Sequence, residues 1–227
     1  MTIQKIIEKN RGAVILVDVQ IPGEGTQKKI SIRGTGFMVH EDGTFITNAH
    51  VYKQIPQNEL QYIGASVPAE TNEKNITRYD RFEIELLKID EENDVALMKI
   101  KSEKKFKTVL KLGNSQEVKE GDPVIYIGYP LATEMLTMGF GITMTTNSCI
   151  VSSVKRRMDG SLHFFLIDTH TNNGSSGSPL FNEKGEVVGI VSGKISARIP
   201  MQDGKTADIP ANIGICRPAK YIENLLK

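Results

Sequence analysis

Tryptophan is absent, only two cysteines (Cys149 and Cys216) and four histidines occur, and neither sign of charge dominates: 28 lysines and arginines stand against 27 aspartates and glutamates, for a net charge of +1. With no basic excess to neutralise a phosphate backbone, nucleic acid is not expected as a partner. The densest basic stretch, Lys101 to Lys107, is broken by Ser102, Glu103 and Phe106 and reads as a solvated turn. Two cysteines cannot supply a disulfide framework and are expected to sit reduced on strands. Neither they nor the scattered histidines have zinc-ligand spacing, so no metal and no cofactor are expected. No stretch approaches the ~20 apolar residues of a membrane span, and the first ten residues lack the apolar run of a secretory signal. As written, the chain reads as cytoplasmic; loss of a signal or pro-segment before this sequence was recorded would make it secreted instead.

What is present is a composition able to form a core, with 39% hydrophobic and 24% charged residues. Ile3, Ile6 and Ile7 fall at helical spacing, which predicts a short N-terminal helix ending near Asn10-Arg11-Gly12 with Gly12 as a left-handed cap. Thereafter the period changes to two. Val17, Val19 and Ile21 alternate with Asp18 and Gln20, and Phe82, Ile84 and Leu86 alternate with Glu83 and Glu85, as in half-buried strands. Turn residues punctuate the chain at Pro22-Gly23 with Gly25, Glu41-Asp42-Gly43, Gly121-Asp122-Pro123, Asp159-Gly160 and Lys184-Gly185. Many short strands with such turns predict an all-β barrel or sandwich. The polar stretch Gly113 to Gly121 divides the chain near its middle, giving one unit over 1–112 and a second over 113–227. A C-terminal helix is expected from about Pro218, with Tyr221, Ile222, Leu225 and Leu226 as its apolar face.

The segment Asn173-Gly174-Ser175-Ser176-Gly177-Ser178-Pro179-Leu180 places a serine between glycines in a strand-rich region. Gly174 can turn its own N–H and that of Ser176 into one pocket, an oxyanion hole, while Gly177 lets a substrate chain approach without a Cβ clash. A serine hydroxyl needs a base within reach to act as a nucleophile, and histidine is the suited residue. His40 sits beside a turn, His163 within a strand-like run and His170 just before the serine. His50 closes the apolar run Phe45 to Val51, where Ala49 leaves room for the imidazole. The base needs an acceptor for its other ring nitrogen. Asp94 opens the strand-like Asp94-Val95-Ala96-Leu97-Met98-Lys99-Ile100, whereas Asp90, Glu91 and Glu92 lie in the acidic turn before it. The order His, Asp, Ser matches the chymotrypsin arrangement and not those of subtilisin or the α/β-hydrolases.

At these residues the sequence resembles trypsin-like bacterial peptidases, the HtrA family and the glutamyl endopeptidases above all. Gly34-Thr35-Gly36-Phe37-Met38-Val39 with Gly43 to Val51 is similar to the HtrA histidine motif, and Asp94 to Ile100 to its aspartate strand. Ser176 to Ile190 is nearer the glutamyl enzymes. The resemblance implies two perpendicular six-stranded antiparallel β-barrels with short N- and C-terminal helices, His50, Asp94 and Ser176 in the cleft between the barrels, and the Gly174 and Ser176 amides as oxyanion hole. It implies a serine endopeptidase acting on proteins or peptides, with a catalytically silent peptide-binding module as the alternative.

By family spacing His170, Thr171, Val191, Ser192 and Gly193 border the first specificity pocket, and Ser192 to Lys194 can pair with an extended substrate. Small or medium uncharged side chains are expected there, with Lys194 or His170 as a route to acidic ones. Ser175 stands where digestive zymogens carry an activating aspartate, and Val191 where the glutamyl enzymes carry a histidine. With no aromatic residue before Phe37, the family's trimer is not expected to carry over, nor, with the sequence ending after one protease unit, is its PDZ regulation, and the oligomeric state is left open.

Overall fold

The computed structural model describes residues 1–23, 25, 28–73, 76–200 and 205–227. Helix α1 (Ile3–Asn10) starts at Thr2, whose Oγ1 accepts from the Lys5 N–H, and it buries Ile6. Gly12 does not form a left-handed cap. The helix instead tightens into a 3-10 turn over Arg11–Ala13, and Gly12 is not among the positive-φ residues. The buried Asn10 amide donates back to the Ile6 carbonyl at 3.0 Å, so a side chain supplies the local end of the helix.

The chain then builds β1 (Val14–Pro22), β2 (Lys28–Met38) and β3 (Thr44–Thr47), a short helix α2 (Ala49–Lys53), and β4 (Ile63–Thr71), β5 (Thr77–Asp90) and β6 (Val95–Ile100). They close a barrel in the order β1-β2-β3-β6-β5-β4. Closure explains why Asp18, a polar member of the β1 alternation, is buried: β4 and β5 bring Ser66 Oγ to 2.7 Å and Arg81 Nε to 2.6 Å from its carboxylate. A buried carboxylate is tolerated only with such partners.

The second half forms β7 (Pro123–Gly128), helix α3 (Ala132–Thr137), β8 (Thr145–Arg156), β9 (Leu162–Ile167), β10 (Pro179–Phe181), β11 (Val187–Pro200) and β12 (Thr206–Pro218). These close a second antiparallel barrel in the order β10-β11-β12-β9-β8-β7. The all-β, two-barrel architecture is thus the one expected. The chain crosses between barrels from Ile100 to Pro123, the interval that contains the proposed division at 112/113. Helix α4 (Ala219–Leu226) follows, with Pro218 as its N-cap and not in its first turn. Tyr221 and Ile222 are buried, but Leu226, the last residue of the helix, is exposed. Cys149 on β8 and Cys216 on β12 are buried free thiols, as read from the sequence.

One apolar core continues from the first barrel into the second, joining Val14, Phe37 and Phe45 to Ile127, Tyr129 and Phe181. Each such side chain contributes roughly 1.5–3 kcal/mol when withdrawn from water. The Tyr129 hydroxyl also donates to the Val14 carbonyl at 3.0 Å across this junction. The cleft described next is therefore set in a rigid seam.

Candidate active site

His50 lies in the first turn of α2, not at the end of a strand. Strand β3 stops at Thr47, and Asn48 takes the N-cap position. Its side-chain amide donates to the Asp94 carbonyl at 2.8 Å, tying the start of the helix to the β5–β6 turn. Asp94 itself has φ 57°, a left-handed conformation that aspartate tolerates better than most residues. Asp90, one of the acidic alternatives, holds that turn by accepting the Asn93 N–H at 3.0 Å.

In this setting the Asp94 carboxylate receives three donors. Its Oδ1 accepts the His50 N–H at 3.0 Å, and His50 Nδ1 lies 3.0 and 2.9 Å from the two oxygens. The Ser192 hydroxyl donates to Oδ2. Burial raises the Asp94 pKa, but the hydrogen bond and charge of His50 and the Ser192 hydroxyl outweigh it, so the carboxyl lies below its ordinary range. An ionised Asp94 facing Nδ1 leaves the other ring nitrogen of His50 free to accept a proton.

The serine loop comes from the second barrel. Ser175 and Ser178 close it into turns: Ser175 N–H donates to Asn172 O at 2.9 Å, and Ser178 N–H to Ser175 O at 3.0 Å. Gly174 and Gly177 both have φ 90°. A Cβ on Gly174 would lie 2.1 Å from the Tyr129 carbonyl oxygen, and one on Gly177 1.8 Å from the Thr35 carbonyl oxygen. Gly177 is thus needed for the approach of the two barrels, and not for room beside a substrate as the sequence suggested. Among the described residues, the backbone N–H groups of Gly174 and Ser176 donate to no backbone carbonyl.

His50, Gly174 and Ser176 line one cleft of about 410 Å³, together with Thr171, Ser192 and Gly193. Thr171 Oγ1 donates to the Gly193 carbonyl at 2.8 Å, bracing the cleft wall. The remaining two expected pocket residues lie elsewhere. Val191 is turned into the core of the second barrel, and the exposed His170 sits with Nδ1 3.2 Å from Asn212 Oδ1. Sequence reasoning missed Ile32, Arg33, Gln54, Asn172 and Asn173 as further cleft residues. It also missed the partnership of Ser192 with Asp94, for which an isolated serine on a strand gives no signal. The other histidines are outside the cleft: His40 lies 3.0 Å from Asp42, and His163 faces Arg157. Among the described residues, no group of three His, Cys, Asp or Glu could hold a metal ion, and no helix is long and apolar enough to cross a membrane.

Comparison with known proteins agrees with this architecture. The chain is 30% identical over 204 residues to serine protease HTRA1 of Xenopus laevis, covering 87% of the chain and 39% of that protein. It is 32% identical over 206 residues to human serine protease HTRA3, covering 87% and 41%. A probable periplasmic serine endoprotease DegP-like of Ectopseudomonas mendocina is 36% identical over 175 residues, covering 75% and 31%. The chain therefore spans about two-fifths or less of the length of these relatives. The relatives lend no support to the cytoplasmic placement expected from the first residues, since the DegP-like protein is named as periplasmic. A family model described as a trypsin-like peptidase domain matches residues 34–190, from the Gly34 of the histidine motif into β11, and the chain belongs to that family.

Proposed function

We propose that this chain is a serine endopeptidase working through Ser176, His50 and Asp94. The observation that carries the reading is the pairing of His50 Nδ1 with Asp94 at 2.9 Å in the cleft that Ser176 also lines. In the reaction, Ser176 Oγ attacks the carbonyl carbon of a peptide bond while His50 Nε2 takes its proton. The oxyanion that forms is met by the N–H groups of Gly174 and Ser176. His50 then gives its proton to the leaving amine as the C–N bond breaks. Water, deprotonated by the same imidazole, opens the acyl-enzyme and restores the Ser176 hydroxyl. Asp94 keeps the imidazole in the required tautomer and stabilises the imidazolium between steps.

Protein or peptide substrates follow from this reading. Export from the cytoplasm is supported by the periplasmic name of the DegP-like relative, and fractionation of cells expressing the protein tests it.

A fluorophosphonate probe followed by peptide mapping tests the chemistry: covalent labelling at Ser176, absent in Ser176→Ala, is expected. Cleavage of a peptide library by the unmodified protein then separates a peptidase from an esterase. Removing the nucleophile of such a triad lowers turnover by on the order of 10⁶. Residual turnover in Ser176→Ala equal to the parent would refute the assignment.

A further inference from the structure

A bulge in the first barrel places an arginine at the cleft. Along β1 and β2, Val17 lies opposite Gly34 and Asp18 opposite Ile32, so Arg33 is an extra residue with no partner on β1. Bulges of this kind bend the strand and re-aim a side chain, often beside an active site. Arg33 lines the cleft with Ile32, His50 and Gln54 of the same barrel, and Lys194 lines it from the second barrel. No aspartate or glutamate is among the lining residues, so Arg33 and Lys194 give the walls a positive charge with nothing negative beside it in the cleft.

The protein itself uses only part of the Arg33 guanidinium. Its Nη2 donates to Oε2 of Glu59, in the 3-10 turn Gln57–Tyr62, at 2.8 Å, and Glu59 is its one ion-pair partner among the described residues. Its Nε is buried with no hydrogen-bond partner among them. A guanidinium carries several N–H donors in a planar fork suited to carboxylates, so one bond to Glu59 leaves capacity for a second acceptor. The Arg33 and Glu59 side chains are 24 and 23% exposed, and salt and solvent screen such a charge less than one on an open surface.

The proposed mechanism decides which part of a substrate passes Arg33. His50 Nδ1 is engaged by Asp94, so Nε2 protonates the leaving amine, and the residues after the scissile bond therefore begin beside His50 on the first-barrel wall. The Thr35 N–H donates to Ser176 O at 2.8 Å. Arg33 stands two strand residues before Thr35, about 7 Å along β2, a distance that an extended leaving half covers in about two residues.

We infer that Arg33 is a specificity residue on the leaving-group side: it receives the carboxylate of an aspartate or glutamate at the second or third residue after the scissile bond, sharing its fork between that group and Glu59. The acceptor is a side chain because the substrate of an endopeptidase continues beyond this point. The inference rests on the proposed peptidase reading and adds to it the charge of the preferred substrate.

Internally quenched, C-terminally amidated peptides test it. They share one sequence that the peptide library shows to be cut at a single bond, and carry glutamate or its neutral isostere glutamine in turn at each of about three positions on either side of that bond. A kcat/KM about tenfold higher for glutamate than for glutamine is expected at the second or third position of the leaving half. Arg33→Gln should bring that ratio to about one. Lys194→Gln removes an equal charge from the same cleft and should keep most of the ratio.

Equal rates for glutamate and glutamine throughout the leaving half would overturn the inference. So would a preference that survives in folded Arg33→Gln, or one that falls equally in both variants, because it would then belong to the general field of the cleft. The peptide series on the parent protein involves no substitution and stands even if Arg33→Gln fails to fold. Failure of the peptidase reading shows separately, as absent fluorophosphonate labelling in the parent protein.

Discussion

The hydroxyl of Thr35, on β2 of the first barrel, donates to the carbonyl of Gly174 in the serine loop of the second at 2.7 Å. The same oxygen accepts the Tyr129 N–H at 3.1 Å, while the Thr35 N–H donates to Ser176 O at 2.8 Å. The Thr35 carbonyl accepts the Thr47 hydroxyl at 2.7 Å. One fully buried residue thus fastens the loop that carries Ser176 to the strand that leads to His50.

Thr35→Val keeps the shape and removes the hydroxyl, leaving the Gly174 carbonyl and Tyr129 amide without that partner. Unsatisfied buried groups of this kind cost about 1–3 kcal/mol each. Urea unfolding should record a loss of that order. Turnover measured well below the new melting temperature should fall by more than the unfolded fraction explains, because the Gly174 amide is no longer held.

Gly177→Ala introduces a methyl 1.8 Å from the Thr35 carbonyl oxygen at a residue with φ 90°. Backbone on both sides must move, so a destabilisation of about 3 kcal/mol or more is expected. Calorimetry checks it; a melting temperature unchanged from the parent would show that the barrels do not close on each other as tightly as described.

Asp94→Asn tests the orienting role and the acid limit together. With the wrong tautomer favoured at His50, turnover should drop by about 10⁴ at neutral pH. The folded-state pKa of Asp94 lies below its unfolded value. Its stabilising contribution is therefore complete above the unfolded carboxylate pKa and is lost as pH falls through the folded one. Thermal melting followed from neutral pH downward should show a steeper acid loss in the parent than in Asp94→Asn.

Burial pushes the Cys149 thiol up to about 12 and Cys216 well above its ordinary value, so both are neutral thiols at neutral pH. Iodoacetamide should leave the native protein unmodified by intact mass and add two labels after denaturation. Rapid native labelling of either thiol would contradict the packing of β8 and β12.

Much of the site was legible because its parts are local. The Gly174 to Ser178 segment is a run of turn residues whose only economical use is a tight, glycine-dependent loop, and Asp94 stands directly before an apolar strand. His50 was distinguishable from His40 and His163 by the apolar run around it. What could not be read was direction across the fold. Ser192 lines the cleft but turns its hydroxyl to Asp94, and Val191 faces the core, on either side of the bulge opposite Ile215 and Cys216 that changes the alternation of β11. Gly12 was read as a cap, but the chain entering β1 tightens into a 3-10 turn instead.

By itself, then, the amino-acid order determined the strand-rich class and the positions of the turns, and it singled out the three side chains proposed for catalysis, since period, glycine placement and residue chemistry are properties of short segments. Only the tertiary structure decided which groups meet. Thr35 reaches Gly174 and Ser192 reaches Asp94 because the two closed barrels pack seam against seam, and the partners in those contacts are separated by 139 and 98 positions. No local pattern encodes such a distance; the burial of a shared core does.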